Sequence, residues 1–142
     1  MIPETLSDPA RQIAAERSGL PSSEVRELAR LLHWSDALML RVIDVPPASW
    51  TRKKSQDAAI NGAPGFAALT LRALLDRAQE VVQATVAPDR VDSVDVGQWL
   101  GEWLQTPMPA LGGKCPIDLL DVPAGQAVVL RLLGSLDSGA YQ

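Results

Sequence analysis

The chain carries one cysteine, one histidine, one phenylalanine and one tyrosine, and aromatic residues make up only 4% of it. A single cysteine excludes an internal disulfide, and one cysteine with one histidine falls short of the ligand set of a structural zinc site, so no metal is expected. No run approaches the ~20 apolar residues of a membrane-spanning helix. The start, Met1-Ile2-Pro3-Glu4-Thr5, lacks the basic and then apolar character of a secretory signal. These absences give the expectation of a cytoplasmic protein. With a formal net charge of −4, the chain as a whole is not drawn to phosphate backbones, so any nucleic-acid contact must come from a local patch.

What is present points to helices. A chain of 142 residues with 46% hydrophobic content has room for one domain or two small ones. With so few aromatics, the core must be built from Leu, Val, Ile and Ala, with four tryptophans as the large exceptions. Asp8-Pro9 starts a first short helix that Ser18-Gly19-Leu20-Pro21 ends. From Ser23, the residues Val25, Leu28, Ala29, Leu31 and Leu32 recur at helical spacing. Ser35 caps the next helix, with Leu38, Met39, Val42 and Ile43, and Val45-Pro46-Pro47 stops it. A third short helix runs from Ala48 to about Gln56, and residues 58–65 read as a break. A long helix from Phe66 to about Thr85 follows. Asp95 caps a segment whose stripe is Val96, Trp99, Leu100, Trp103 and Leu104, the two tryptophans expected as core residues. Asp121 is expected to cap a last helix with Pro123 in its first turn and Val128, Val129, Leu132, Leu133 and Leu136 inward.

Two short helices, a tight turn and a third helix bearing Arg52-Lys53-Lys54 have the spacing of a helix-turn-helix unit. Trp50, Arg52, Lys53, Lys54 and Gln56 are the candidate DNA contacts, to phosphates and to a base edge. The alternative is an exposed helix end, and three cations neutralise few phosphates unless a dimer doubles them.

Nothing in the chain looks catalytic, and no cofactor is implied. His33 lies far in sequence from Cys115, Asp118 with Asp121 reads as helix caps, and Gly112-Gly113-Lys114 lacks the spacing of a phosphate-binding loop.

The most specific text is Pro107-Met108-Pro109-Ala110-Leu111-Gly112-Gly113-Lys114-Cys115-Pro116-Ile117-Asp118-Leu119-Leu120. It follows Trp103-Leu104 and precedes Gly125 and a closing helix that runs into Asp137-Ser138-Gly139. That order resembles the toxin-binding domain of the Xre/MbcA/ParS-type antitoxins, with one departure. Cys115 stands where such sequences carry Thr or Ser, and a thiol is a poor cap for the short helix opening at Pro116. Gly112 and Gly113 answer to backbone geometry, by positive φ or close approach.

The resemblance implies an all-α protein: a helix-turn-helix-like unit over residues 1–65, a connecting helix over 66–90 and a toxin-binding domain over 91–142. It implies an antitoxin of a type II system, whose partner is a RES-domain toxin that hydrolyses NAD or transfers ADP-ribose. Toxin contacts are expected at Met108, Leu111 and Lys114 on the loop, and at Asp137, Ser138, Gly139, Ala140, Tyr141 and Gln142. This tail would occlude the NAD cleft, Tyr141 being a residue type enriched in binding hot spots. A homodimer within a hetero-oligomeric complex is expected. The competing reading is a DNA-binding transcriptional regulator whose C-terminal domain mainly dimerises, and a helical adaptor with an unrelated partner is a third.

Overall fold

The computed structural model describes residues 9–136. Seven α-helices occur among them: α1 (Pro9–Ser18), α2 (Ser22–Leu31), α3 (Asp36–Ile43), α4 (Pro47–Gln56), α5 (Gly62–Thr85), α6 (Val96–Leu104) and α7 (Pro123–Ser135). Short 3-10 turns at Val91–Ser93, Pro109–Leu111 and Pro116–Leu119 join the later elements. The fold is all-α apart from one small addition that helical periodicity does not reveal. Leu20–Pro21 pairs antiparallel with Ala59–Ile60, in the register Leu20 to Ile60 and Pro21 to Ala59.

The axis of the structure is α5, whose 24 residues span about 36 Å. It packs against α1, α2, α3, α6 and α7. Its inward residues Ala68, Leu71, Leu74 and Ala78 are at most 1% exposed. The helix begins at Gly62, within the stretch expected to be a break. Pro64 falls in the first turn, where its missing N–H costs no hydrogen bond, so a Gly- and Pro-rich text here opens a helix.

The caps written locally are present. Ser35 accepts from the Leu38 amide at 3.1 Å, and Asp95 accepts from the Gln98 amide at 3.0 Å. Asp121 does not cap α7: the cap position is Val122, which offers no side-chain acceptor, and Pro123 follows directly. The extended Val122 and the preset φ of Pro123 start the helix without a carboxylate. The start of α2 is secured from a distance, since its own cap residue is Pro21. Ser23 donates its amide to Asp57 Oδ1 at 2.8 Å, and buried Ser22 donates its hydroxyl toward the Lys53 and Ala58 carbonyls. These bonds fasten the end of α4 to the beginning of α2.

The tryptophans are placed differently from expectation. Leu100 and Leu104 of α6 are fully buried, while Trp99 and Trp103 are half-buried at the rim, stacked with centroids 6.3 Å apart and planes at 16°. The reason is the glycines between them. A Cβ on Gly97 would stand 1.9 Å from the Leu31 carbonyl oxygen, and one on Gly101 would stand 2.3 Å from that of Leu32. The glycine edge of α6 therefore meets the end of α2, which turns the tryptophans aside. Trp34 and Trp50 take the core positions instead, at 7% and 5% exposure.

Candidate functional site

The three helices α2, α3 and α4 form the helix-turn-helix face. The α3 helix ends at Asp44 in the left-handed conformation, φ 63°, a geometry that Asp tolerates better than most residues. Val45 then buries its side chain and donates its amide to Leu40 O at 2.9 Å, and α4 starts at Pro47. Of the expected DNA contacts on α4, Arg52, Lys54 and Gln56 are exposed and Lys53 is half-buried. None of the ion pairs found among the described residues uses Arg52, Lys53 or Lys54.

Trp50 is a correction. It is the one buried residue of α4, and its indole N–H is enclosed with no hydrogen-bond partner among the described residues. A single apolar residue among polar ones gives no stripe to read, so its direction is settled by packing. With Trp50 inward, the outward face of α4 is Ala48, Thr51, Arg52 and Ser55, at i, i+3, i+4 and i+7. Thr51 and Ser55 were missed by sequence reasoning, and the spacing from Trp50 is the signal that finds them. Their hydroxyls donate to Pro47 O and Arg52 O and keep lone pairs for an outside donor.

The Gly-Gly loop closes on itself. Met108 donates its amide to Lys114 O at 3.0 Å, and Gly113 donates to Met108 O at 2.9 Å. The backbone thus brings Met108 and Lys114 together at the loop base, with Leu111 between them in the chain. Met108 and Leu111 are half-buried and Lys114 is exposed. Gly112 and Gly113 hold φ of +67° and +87°, and a Cβ on either would meet nothing within 4 Å. Positive φ, not close approach, is what this turn requires of glycine.

Cys115 ties the loop to α6 by its Sγ–H to Gln105 O at 3.3 Å. The cap that a hydroxyl would give the following turn comes from Asp118, whose Oδ2 accepts from the Cys115 amide at 3.1 Å. His33 lies elsewhere, its Nε2 2.8 Å from Asp95 Oδ2. The Asp95 carboxyl is held below its ordinary value first by the Gln98 amide and then by His33. The expected tail contacts Asp137, Ser138, Gly139, Ala140, Tyr141 and Gln142 lie outside the described residues. Among the described residues, no helix is long and apolar enough to cross a membrane.

Two family models match this chain. Residues 94–139 match the antitoxin Xre/MbcA/ParS C-terminal toxin-binding domain. Residues 11–82 match the antitoxin Xre-like helix-turn-helix domain, a span that runs well into α5. A curated relative from Sphingobium sp. (strain YBL2), the "Prs ADP-ribosylating antitoxin", is 30% identical over 135 residues, covering 95% of this chain and 83% of that protein. The helix-turn-helix face, the closed Gly-Gly loop and these matches agree, and the chain belongs to the Xre/MbcA/ParS family as an antitoxin of a toxin–antitoxin system.

Proposed function

We propose that this antitoxin neutralises a RES-domain toxin, an enzyme that consumes NAD or transfers ADP-ribose from it, by blocking the NAD cleft. The match of residues 94–139 to a toxin-binding family carries this reading. The name of the Sphingobium relative supports a partner of ADP-ribosylating chemistry. Met108, Leu111 and Lys114 dock beside the cleft, α7 lies against its edge, and residues 137–142 enter it. Exclusion of substrate needs no chemistry from the antitoxin.

The test is to express the adjacent toxin gene with the full chain or with a chain ending at residue 138, and to measure cellular NAD. The full chain is expected to protect NAD and the shortened, still folded chain to fail. Equal protection would sink occlusion by the tail and move the work to the loop. Tyr141→Ala is expected to weaken binding by about 1–3 kcal/mol.

A second activity is supported by the α3–α4 geometry. Arg52 and Lys54, exposed and outside the ion pairs among the described residues, suit phosphate contact, with Thr51 and Ser55 beside them on the outward face. A homodimer would present two such faces to a palindromic operator within the same hetero-oligomeric complex. A salt-dependent operator shift that disappears on changing Arg52 and Lys54, while toxin neutralisation survives, is the expected result.

A further inference from the structure

The last carbonyls of a helix have no partner within it and are satisfied by other donors. At the end of α7 three successive carbonyls are served. Leu132 O accepts from the Ser135 hydroxyl at 2.7 Å, and Leu133 O accepts from the Leu136 amide at 3.2 Å. Gly134 O accepts from Arg77 Nη2 at 3.0 Å. The first two donors belong to the end of α7 itself, whereas the third reaches across from α5, 57 residues earlier in the chain.

Arg77 is built into this position. Its side chain is only 12% exposed, and its Nη1 pairs with Glu80 Oε2 at 2.5 Å. The guanidinium therefore bridges a carboxylate on α5 and the negative pole of α7. Its planar fork fixes both directions at once, which a lysine ammonium does not. Gly134 leaves the space for it, since a Cβ there would stand 3.3 Å from Arg77 Nε. Packing alone at this site would be met by an apolar side chain without the cost of covering a charge.

We propose that Arg77 is a positioning residue for toxin inhibition: by holding the Gly134 carbonyl it sets the heading with which the chain leaves α7 toward residues 137–142. The proposal rests on the tail reading above. Fixing the peptide at Gly134 and Ser135 limits the directions open to the residues that follow, so less ordering remains to be done when the tail enters the cleft.

A purely structural bridge would lower stability and inhibition together, with or without the tail. The experiment is therefore a double-variant cycle with purified proteins and the RES-domain toxin encoded alongside, reading inhibition of NAD consumption. Arg77→Met, Arg77→Lys and Gly134→Ala are each made in the full chain and in a chain ending at residue 138. Thermal midpoints and the exchange of the Leu136 amide are measured in parallel. In the full chain Arg77→Met is expected to weaken inhibition about tenfold and to speed Leu136 exchange. Arg77→Lys and Gly134→Ala should give smaller losses, and all three should change nothing further in the shortened chain. Equal losses in both chains, or no loss in the full chain despite faster Leu136 exchange, would overturn the positioning role alone. If the shortened chain without other changes inhibits as well as the full one, the tail reading itself fails and the positioning role with it. Should Arg77→Met not fold, the lysine and alanine variants carry the same comparison.

Discussion

His33 Nε2 stands 2.8 Å from Asp95 Oδ2, joining the end of the α2 segment to the residue that caps α6. His33 reaches this point from a left-handed backbone, φ 58°. The Asp95 carboxyl is thereby asked to serve two donors, the Gln98 amide and the imidazole, and both favour its charged form. A carboxyl whose folded pKa is lowered adds stability above its unfolded value of about 3.9, and that stability is lost as pH falls toward the lower folded value. Asp95→Asn keeps a capping oxygen but not the charge. Its thermal midpoint should lie below the parent's from neutral pH down to about pH 5, and the two should converge below about pH 4. A constant gap down to strongly acid pH would show that the carboxylate charge contributes nothing.

The contact between α6 and α2 is made by backbone. With Cβ positions 1.9 Å from Leu31 O and 2.3 Å from Leu32 O, Gly97→Ala and Gly101→Ala must push the two helices apart. Each should cost about 1–3 kcal/mol or more, the range of an overpacked core. Gly112→Ala meets no atom within 4 Å and is strained only by its φ of +67°, so it should cost about 1 kcal/mol. Denaturant midpoints of the three variants check the order, and a Gly112 variant less stable than the other two would contradict it.

Thr70 and Gln126 form a buried polar pair between α5 and α7. The Thr70 hydroxyl donates to Gln126 Oε1 at 2.9 Å, and Gln126 Nε2 donates to Leu120 O at 3.0 Å. Thr70→Val strands the Gln126 oxygen, and Gln126→Leu strands the Leu120 carbonyl, each at about 1–3 kcal/mol. Because the two side chains share one bond, the double variant should lose less than the sum of the single losses. Additive losses in urea unfolding would show that the bond carries no coupling.

The parts of this fold legible in the sequence are those decided within a few residues. Ser35 and Asp95 cap because a small acceptor precedes a periodic apolar run, and the Pro107-to-Leu120 text names its loop because prolines and glycines leave few conformations. The illegible parts are decided by residues far apart. Trp50 turns inward because of what packs around α4, Asp57 caps a helix that begins 34 residues earlier, and the Thr70–Gln126 bond spans 56 residues. Gly97 and Gly101 look like weak points in an amphipathic helix until the Leu31 and Leu32 carbonyls are beside them. The candidate loop was thus found by its text, while the outward face of α4 emerged only once Trp50 had been placed.

The burial of Trp50 separates what DNA binding needs from what the fold needs. Its indole N–H is enclosed without a partner among the described residues, a state that costs about 1–3 kcal/mol. Trp50→Phe removes that donor along with some apolar volume, and the two effects offset, so stability should stay within about 1 kcal/mol of the parent. The operator shift should be unaffected, because Trp50 does not reach the surface. Arg52→Ala with Lys54→Ala should leave the thermal midpoint nearly unchanged, as both side chains are exposed and outside the ion pairs among the described residues. If each contacts one phosphate, operator affinity should fall and the slope of log K against log salt should shrink by about 1.8 per protomer. Electrophoretic shifts over a salt series and melting curves on the same samples distinguish the cases. A Trp50→Phe protein that folds normally yet loses the operator would place Trp50 at the DNA after all and overturn the assignment of the outward face.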